Sequence, residues 1–421
     1  SIAAFGISNQ RETTVAWDGE TGKSICDAIV WQCARAQAVC ERLSGMADTV
    51  RARTGLNLSP YFPAAKMGWI MENVPEAKAL ADAGRLRLGT VDSWLLSFLT
   101  RERVHATDYS NASRTQLFDI TALRWDEELC RAFGVPAGAL PEVRMSDSVF
   151  GTTDLGGYLD EPIPVCGVLG DSHGALFGQD CRRPGQVKAT YGTGSSVMMN
   201  IGTEPRFSPG GLVTSLAWGM NGRVEYVFEG NLNYTGAVMT WLRRDVGLIE
   251  NDAEATELAR AANPNDRCYF VPAFSGLGAP YWDSRASGML TGLSRTTGRA
   301  EIAKACLECI AYQITDLTEL MRRDAGVELA SLRVDGGPTA SEYLMQFQAD
   351  MARASVEVPN LQELSGMGAA YAAGISAGLY DPDRVYEQVR RRVYAPAMDA
   401  ERREELYKGW QAAVRQVLTH D

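Results

Sequence analysis

The chain has 421 residues, too many for one ordinary hydrophobic core, so two domains with a ligand site between them are expected. Apolar residues make up 45% and charged residues 22% of the chain, a composition that excludes global disorder. The formal net charge of -11, with no basic cluster to offset it, excludes nucleic acid as a partner. The sequence contains no uninterrupted apolar stretch that is long enough to cross a bilayer.

Short apolar runs with strand character alternate with longer helical patterns, which indicates an α/β protein. The predicted strands cover residues 3–7, 164–169, 186–191, 197–201, 268–271 and 331–334. The predicted helices cover residues 33–43, 237–245, 301–323, 341–353, 366–377 and about 400–419. A polar interruption at residues 180–185 predicts a boundary between a first domain, residues 1–179, and a second, residues 180–421.

The nine cysteines are dispersed along the chain, and their number is odd. Cys306 and Cys309 have C-x-x-C spacing, but they lie in an apolar helical pattern with no second pair nearby. The spacing therefore disfavours a redox or zinc site and favours buried, reduced thiols in a cytoplasmic protein.

Polar side chains that follow predicted strands are candidates for binding and catalysis, because open α/β sheets bind ligands at strand ends. Asp171 is either a cap for the next helix or a general base that accepts a proton from a substrate hydroxyl. Arg11 and Glu12 either pair at the surface or hydrogen-bond the hydroxyls of a polyol. Trp31 and Tyr61 are either core residues or apolar walls for a carbon chain.

Two glycine-bearing segments favour a nucleotide or phosphate ligand. Thr193 and Gly194 lie between two predicted strands, in either a simple hairpin turn or an anion site lined by backbone N–H groups. Gly336 and Gly337 follow another strand, and Ser341 either caps the next helix or lies near a nucleotide. The P-loop and the protein-kinase motifs are absent from the sequence.

Taken in order, these segments resemble the FGGY carbohydrate kinases, and within that family the glycerol kinases. The matching motifs span essentially the whole chain and lie at residues 8–14, 29–32, 61–73, 108–115, 274–282 and 288–308. The resemblance implies an α/β, two-domain actin-like ATPase (ribonuclease H-like) fold with a central cleft. The first domain would bind the polyol or sugar, and the second would bind the nucleotide.

The resemblance also implies an activity, namely ATP-dependent phosphorylation of a terminal hydroxyl of a small polyol or sugar. Glycerol would be the leading substrate, ATP and Mg²⁺ would be required, and the protein would be a cytoplasmic homo-oligomer. One alternative is a kinase of a larger polyol or ketopentose, such as erythritol, xylitol, xylulose or ribulose. A second alternative is a non-catalytic, sugar-responsive binding protein on the same fold.

By similarity, Asp171 would be the catalytic base. The implied substrate contacts are Arg11, Glu12, Trp31, Tyr61, Asp171, Ser172 and Ser196. The residues implied near the nucleotide are Thr193, Gly194, Thr296, Gly336, Gly337 and Ser341. Glycerol kinases carry a glutamine where this chain has Ser172 and an aromatic where it has Ser196, so the resemblance implies a pocket wider than glycerol requires.

The first eight residues have the pattern of a buried strand that enters a turn, which predicts that further strands precede Ser1. In the family, a hairpin with an aspartate and several hydroxyl residues for Mg²⁺ and phosphate would lie there. We therefore expect a first domain without its opening strands. We also expect residues 1–421 alone to bind nucleotide poorly and to turn over slowly.

Overall fold

The computed structural model describes residues 2–419 as a mixed α/β protein. Its strands are β1 (Phe5–Asn9), β2 (Thr14–Asp18), β3 (Leu86–Thr90), β4 (Ala106–Asp108), β5 (Phe118–Asp119), β6 (Arg124–Trp125), β7 (Glu142–Arg144), β8 (Val149–Thr153), β9 (Ile163–Gly170), β10 (Gln186–Tyr191), β11 (Ser195–Gly202), β12 (Val213–Met220), β13 (Arg223–Leu232), β14 (Tyr269–Val271), β15 (Met289–Thr291), β16 (Ser331–Gly336), β17 (Val356–Pro359) and β18 (Arg391–Tyr394). Its helices are α1 (Gln37–Arg42), α2 (Ala47–Thr54), α3 (Pro63–Asn73), α4 (Pro75–Asp82), α5 (Val91–Leu99), α6 (Tyr109–Ala112), α7 (Glu127–Phe133), α8 (Asp171–Gly178), α9 (Gly236–Arg244), α10 (Asp252–Ala261), α11 (Arg299–Ala325), α12 (Glu342–Ala352), α13 (Leu364–Ser376) and α14 (Ala400–Val417). None of the helices in this part of the chain has both the length and the apolar surface needed to cross a membrane.

Two sheets organise the molecule. The first has the strand order β1-β9-β8, with β1 parallel to β9. The second has the order β12-β13-β11-β10-β16-β17-β18, and its centre is the parallel pair of β10 and β16. Tyr191 lies opposite Gly336 where this pair ends. The register therefore brings the two glycine-bearing segments to one edge of the sheet, where open α/β sheets bind ligands.

Helices α8 and α13 cross closely between the two sheets. Leu176 and Phe177 of α8 share a buried cluster with Met198 of the second sheet, while α13 packs on β1 and β9 of the first. Glycines allow the close crossing, because a Cβ atom at Gly368 would lie 1.8 Å from the carbonyl oxygen of Gly174. A side chain at that position would push the helices apart.

The crossing gives a test of the packing between the sheets. We expect Gly368→Ala to lower the free energy of unfolding by about 1–3 kcal/mol or more, the usual cost of overpacking. Gly366→Ala on the same helix is the matched control, because its added methyl group meets nothing within 4 Å and should be neutral or stabilising. Urea denaturation of both variants measures the difference, and equal stabilities would contradict the close crossing.

The predicted elements lie close to the observed ones, with two notable shifts. The first strand, predicted over residues 3–7, occupies Phe5–Asn9, because pairing with β9 continues as far as Asn9 opposite Gly170. The helix predicted over residues 33–43 begins only at Gln37, because the preceding residues form turns in which Cys33 N–H donates to the Val30 carbonyl. Strands β12 and β13 were not predicted.

Candidate functional site

The side chain of Arg11 joins the two sheets. Its Nη1 and Nη2 atoms donate to the two carboxylate oxygens of Glu229 on β13, each at 3.1 Å. Its Nε atom lies 3.2 Å from Oδ1 of Asp171, the first residue of α8. Arg11 and Glu12 are both about 5% exposed, so the alternative of a surface ion pair is wrong. One guanidinium therefore connects the turn after β1 to β13 and to α8.

A second buried arginine extends this cluster. Arg114 donates from Nε to Oε1 of Glu12 at 2.7 Å, and its Nη1 atom lies 2.8 Å from Oε2 of Glu229. Burial alone would raise the pKa of Glu229, but the charges of Arg11 and Arg114 outweigh it and hold that pKa well below its ordinary value. Glu229 is therefore ionised near neutral pH and fixes both guanidinium groups.

An aromatic wall lies next to this charged cluster. The rings of Trp31 and Tyr61 meet edge to face, with their centroids 5.8 Å apart. Lys66 is buried beneath them and donates from Nζ to the carbonyl oxygens of Glu12, at 3.0 Å, and of Tyr61. Burial lowers the pKa of Lys66 to about 8. Trp31 is 39% exposed, so its ring can still cover the carbon chain of a ligand.

Asp171 combines a fixed backbone with an accessible carboxylate. It begins α8 directly after β9, while the N-cap position belongs to Gly170. Its Oδ1 atom accepts the N–H of Ser172 at 2.6 Å, and its side chain is 45% exposed. An accessible carboxylate beside a buried arginine can accept a proton from a bound hydroxyl group. Ser172 lies beside it in the first turn of the helix.

Ser196 lies on the same face of the second sheet as Glu229. It pairs with Asn231 across β11 and β13, and Glu229 pairs with Met198, so side chains at positions 196, 198, 229 and 231 share one face. The Oγ atom of Ser196 is buried without a hydrogen-bond partner in residues 2–419. Asn231 is exposed. Asn231 is therefore accessible to a ligand on this face, and Ser196 leaves an unused hydrogen-bonding group just beneath it.

A cavity of about 570 Å³ opens where β10 and β16 end. Its lining includes three of the predicted nucleotide residues, Thr193, Gly337 and Ser341. Ser341 caps α12, because its Oγ atom accepts the N–H of Leu344 at 3.3 Å, and the same oxygen lies 2.8 Å from Oγ1 of Thr256. Ser341 thus caps a helix and also lines the cavity.

The other predicted nucleotide residues occupy different surroundings. Gly194 and Gly336 flank the cavity without lining it. Gly336 has φ +99°, and a Cβ atom there would lie 2.0 Å from the Tyr191 carbonyl oxygen, so only glycine fits. Thr296 lies in an exposed turn, with its Oγ1 atom 2.9 Å from Oγ of Ser294, and does not line the cavity.

The strand ends and glycine-bearing segments of the sequence did not point to Glu229, Arg114, Lys66 or Lys188. A usable signal was present for two of them, because Lys188 is the only charge in its strand and Glu229 directly follows the apolar run of residues 226–228. A charge in such a strand is expensive to bury and needs a partner or a function. The partners of Glu229, which are Arg11 and Arg114, come from distant parts of the chain, so the sequence alone could not identify them.

Comparisons with known proteins agree with this architecture. The N-terminal domain of the FGGY family of carbohydrate kinases matches residues 1–178, and the C-terminal domain of that family matches residues 187–377. Glycerol kinase from Carboxydothermus hydrogenoformans is 47% identical over 417 residues, covering 98% of this chain and 83% of that protein. Glycerol kinase from Halorhodospira halophila is 48% identical over 423 residues, covering 99% of this chain and 83% of that protein.

Solved structures share the fold. The crystal structure of Plasmodium falciparum glycerol kinase with ADP superposes with a TM-score of 0.94 at 35% identity, covering 100% of this chain and 85% of that one. Xylulose kinase from Rhodospirillum rubrum superposes with a TM-score of 0.86 at 21% identity, covering 99% of this chain and 84% of that one. At this identity the similarity shows the fold alone. The two-domain α/β fold implied by the resemblance is confirmed. The chain therefore belongs to the FGGY family of carbohydrate kinases.

Proposed function

We propose that this protein transfers the γ-phosphoryl group of ATP to a terminal hydroxyl of a small polyol, with glycerol as the leading substrate. The observation that carries the proposal is the accessible Asp171 carboxylate, held 3.2 Å from the guanidinium of Arg11. Family membership and the glycerol kinase relatives support it. Residues 1–179 would hold the polyol, and residues 180–421 would hold the nucleotide.

In the proposed reaction, Asp171 takes the proton of the polyol's terminal hydroxyl while the oxygen of that hydroxyl attacks the γ-phosphorus. A new O–P bond forms, the bond between the γ-phosphorus and the bridging oxygen breaks, and ADP leaves with that oxygen. Arg11 would donate hydrogen bonds to the polyol, and Glu12 would accept them. Trp31 and Tyr61 would cover the carbon chain and exclude water.

The nucleotide would occupy the cavity at the ends of β10 and β16, whose lining includes Thr193, Gly337 and Ser341. Gly194 and Gly336 would shape the turns beside the phosphates, and the role of Thr296 stays a prediction. No group of three or more His, Cys, Asp or Glu side chains in residues 2–419 is arranged to hold a metal ion. Mg²⁺ would arrive with the nucleotide, because phosphates supply most of its ligands and one or two carboxylates suffice from the protein.

The direct test is an assay of ADP formation by the purified protein with Mg²⁺-ATP and glycerol. We expect phosphate transfer to glycerol that saturates with glycerol concentration and that is slow, as expected for residues 1–421 alone. Erythritol, xylitol, ribulose and xylulose serve as the comparison set. If none of the five compounds raises the rate of ADP formation above the rate measured without an added polyol or sugar, the proposed function is wrong.

A larger polyol or ketopentose is the second candidate, and the Ser196 face favours it. The unpartnered Oγ atom of Ser196 and the exposed Asn231 offer hydrogen bonds that a three-carbon substrate leaves unused. Unfilled space should cost glycerol about 1–3 kcal/mol of transition-state binding against a longer substrate.

We therefore expect kcat/KM to favour a four- or five-carbon substrate, and the double variant Ser172→Gln/Ser196→Phe to shift the preference toward glycerol. The measurement is kcat/KM for all five compounds with both proteins. A wild-type preference for glycerol above about tenfold, left unchanged in the double variant, would exclude the larger substrate.

The cellular setting is also a proposal. All nine cysteines are free, and seven of them are buried, as expected for a protein from a reducing compartment such as the cytoplasm. We further propose a homo-oligomer, on the resemblance alone. Size-exclusion chromatography with light scattering tests the assembly, and a monomeric mass at micromolar concentration would contradict it.

A further inference from the structure

Lys188 is a lysine on the buried face of the second sheet. It lies on β10 between Val187 and Ala189, which belong to the main core of the second sheet, and its own side chain is on the opposite face. Its strand neighbour Met198 packs against α8, so Lys188 lies beneath that helix. The residue is 2% exposed. Within residues 2–419, no hydrogen bond and no ion pair within 4.0 Å reaches its ammonium group.

Four charged groups on neighbouring elements interact electrostatically with this ammonium group. They are Asp335 from β16, Glu229 from β13, Asp171 from α8 and Arg11 from the turn after β1. Burial lowers the pKa of Lys188, and the three carboxylates oppose that shift. Asp335 is two residues further along the sheet, opposite Thr190, and its Oδ1 atom is buried without a hydrogen-bond partner in the described residues. Lys188 and Asp335, which carry opposite charges, thus lie on one face of the second sheet, and neither has a hydrogen-bond partner among the described residues.

No protein group in the described part of the chain neutralises the ammonium group of Lys188 by direct pairing. Its Nζ atom is not fully buried and keeps slight contact with solvent. Lys66, the other buried lysine of this region, has two carbonyl acceptors, whereas no hydrogen-bond acceptor in residues 2–419 reaches Lys188. A lysine charge that no protein group pairs is available to an anionic ligand.

We propose that Lys188 is a positioning residue for phosphoryl transfer, whose ammonium group offsets the negative charge of Asp171 and Asp335 so that an anionic phosphoryl group can approach them. The proposal rests on the function proposed above. The site contains four carboxylates, and Arg11 and Arg114 are already committed to carboxylates within 4.0 Å. Without Lys188, the phosphoryl group would meet an excess of negative charge in a region of low dielectric constant.

The test compares two lysine-to-methionine variants. We expect Lys188→Met to lower kcat at least about tenfold and to change the KM for the polyol less than about threefold, in a protein that still folds. Lys188→Arg should recover part of the lost kcat, because it restores the charge. Lys66→Met should instead lower Tm, because it leaves two buried carbonyl groups without a donor.

The split between kcat and KM, together with recovery by Lys188→Arg, separates this role from a structural one. A Lys188→Met protein that fails to fold, or one whose loss of kcat is not partly recovered in Lys188→Arg, would overturn the proposal. So would a kcat within about threefold of the wild type. A wild-type protein without kinase activity would refute the proposed function and this proposal together, whereas an unaffected variant of an active enzyme refutes the role of Lys188 alone.

Discussion

Asp171→Asn is expected to lower kcat by about 100- to 10,000-fold, because the amide cannot accept the proton of the attacking hydroxyl. The fold should survive, since the side chain is 45% exposed and contributes one ion pair, to Arg11. Polyol KM should change much less than kcat. Steady-state kinetics over a range of polyol concentrations measure both constants, and the melting temperature checks the fold.

Asp160→Asn is the matched control, because this aspartate is exposed and lies outside the site. It should leave kcat unchanged. Binding of an ATP analogue, measured by calorimetry, should be alike in the wild type and the Asp171→Asn variant, so that the loss is confined to the chemical step. A folded Asp171→Asn protein with near-normal turnover would remove Asp171 from the role of base.

The fold could be predicted well because its pattern is local. Apolar strands alternating with helical patterns indicated the α/β class, and the strand over residues 186–191 was located to the residue. Many strands escaped prediction, among them the antiparallel β12 and β13, whose partners are set by the sheet rather than by their own sequence. The shortened α1 has a similar cause, because backbone turns around Trp31 replace its expected first turn.

The site could be predicted only at the ends of strands. Arg11 and Asp171 stood out because each follows a strand, and the parallel pairing of β1 with β9 brings them together. Glu229 did not stand out, because its two arginine partners lie 218 and 115 positions away in the sequence. Thr296 lies in an exposed turn outside the cavity, and its place near the nucleotide stays a prediction. Contacts that are remote in sequence therefore decide the rest of the site.

Glu229→Gln should lower the free energy of unfolding at pH 7 by about 3–5 kcal/mol, the usual cost of breaking a buried ion pair by removing one partner. The variant leaves the buried Arg11 and Arg114 with two of the three carboxylates that lie within 4.0 Å of them, those of Glu12 and Asp171. It should also reduce turnover, because Arg11 loses the carboxylate that holds it beside Asp171. Urea denaturation gives the stability, and kinetics on the folded variant give the loss of turnover.

The stability difference should depend on pH with a definite sign. The pKa of Glu229 is lowered in the folded protein, so its contribution is fully present above the ordinary value of 4.5 and is lost as the pH falls below that value. The wild type and Glu229→Gln should therefore converge in stability toward pH 3. Glu225→Gln on the same strand is the control, because burial raises the pKa of Glu225 and neutralising it should not destabilise the protein at pH 7. A Glu229→Gln deficit that is the same at pH 7 and pH 3 would mean that the charge of Glu229 does not hold the two arginines.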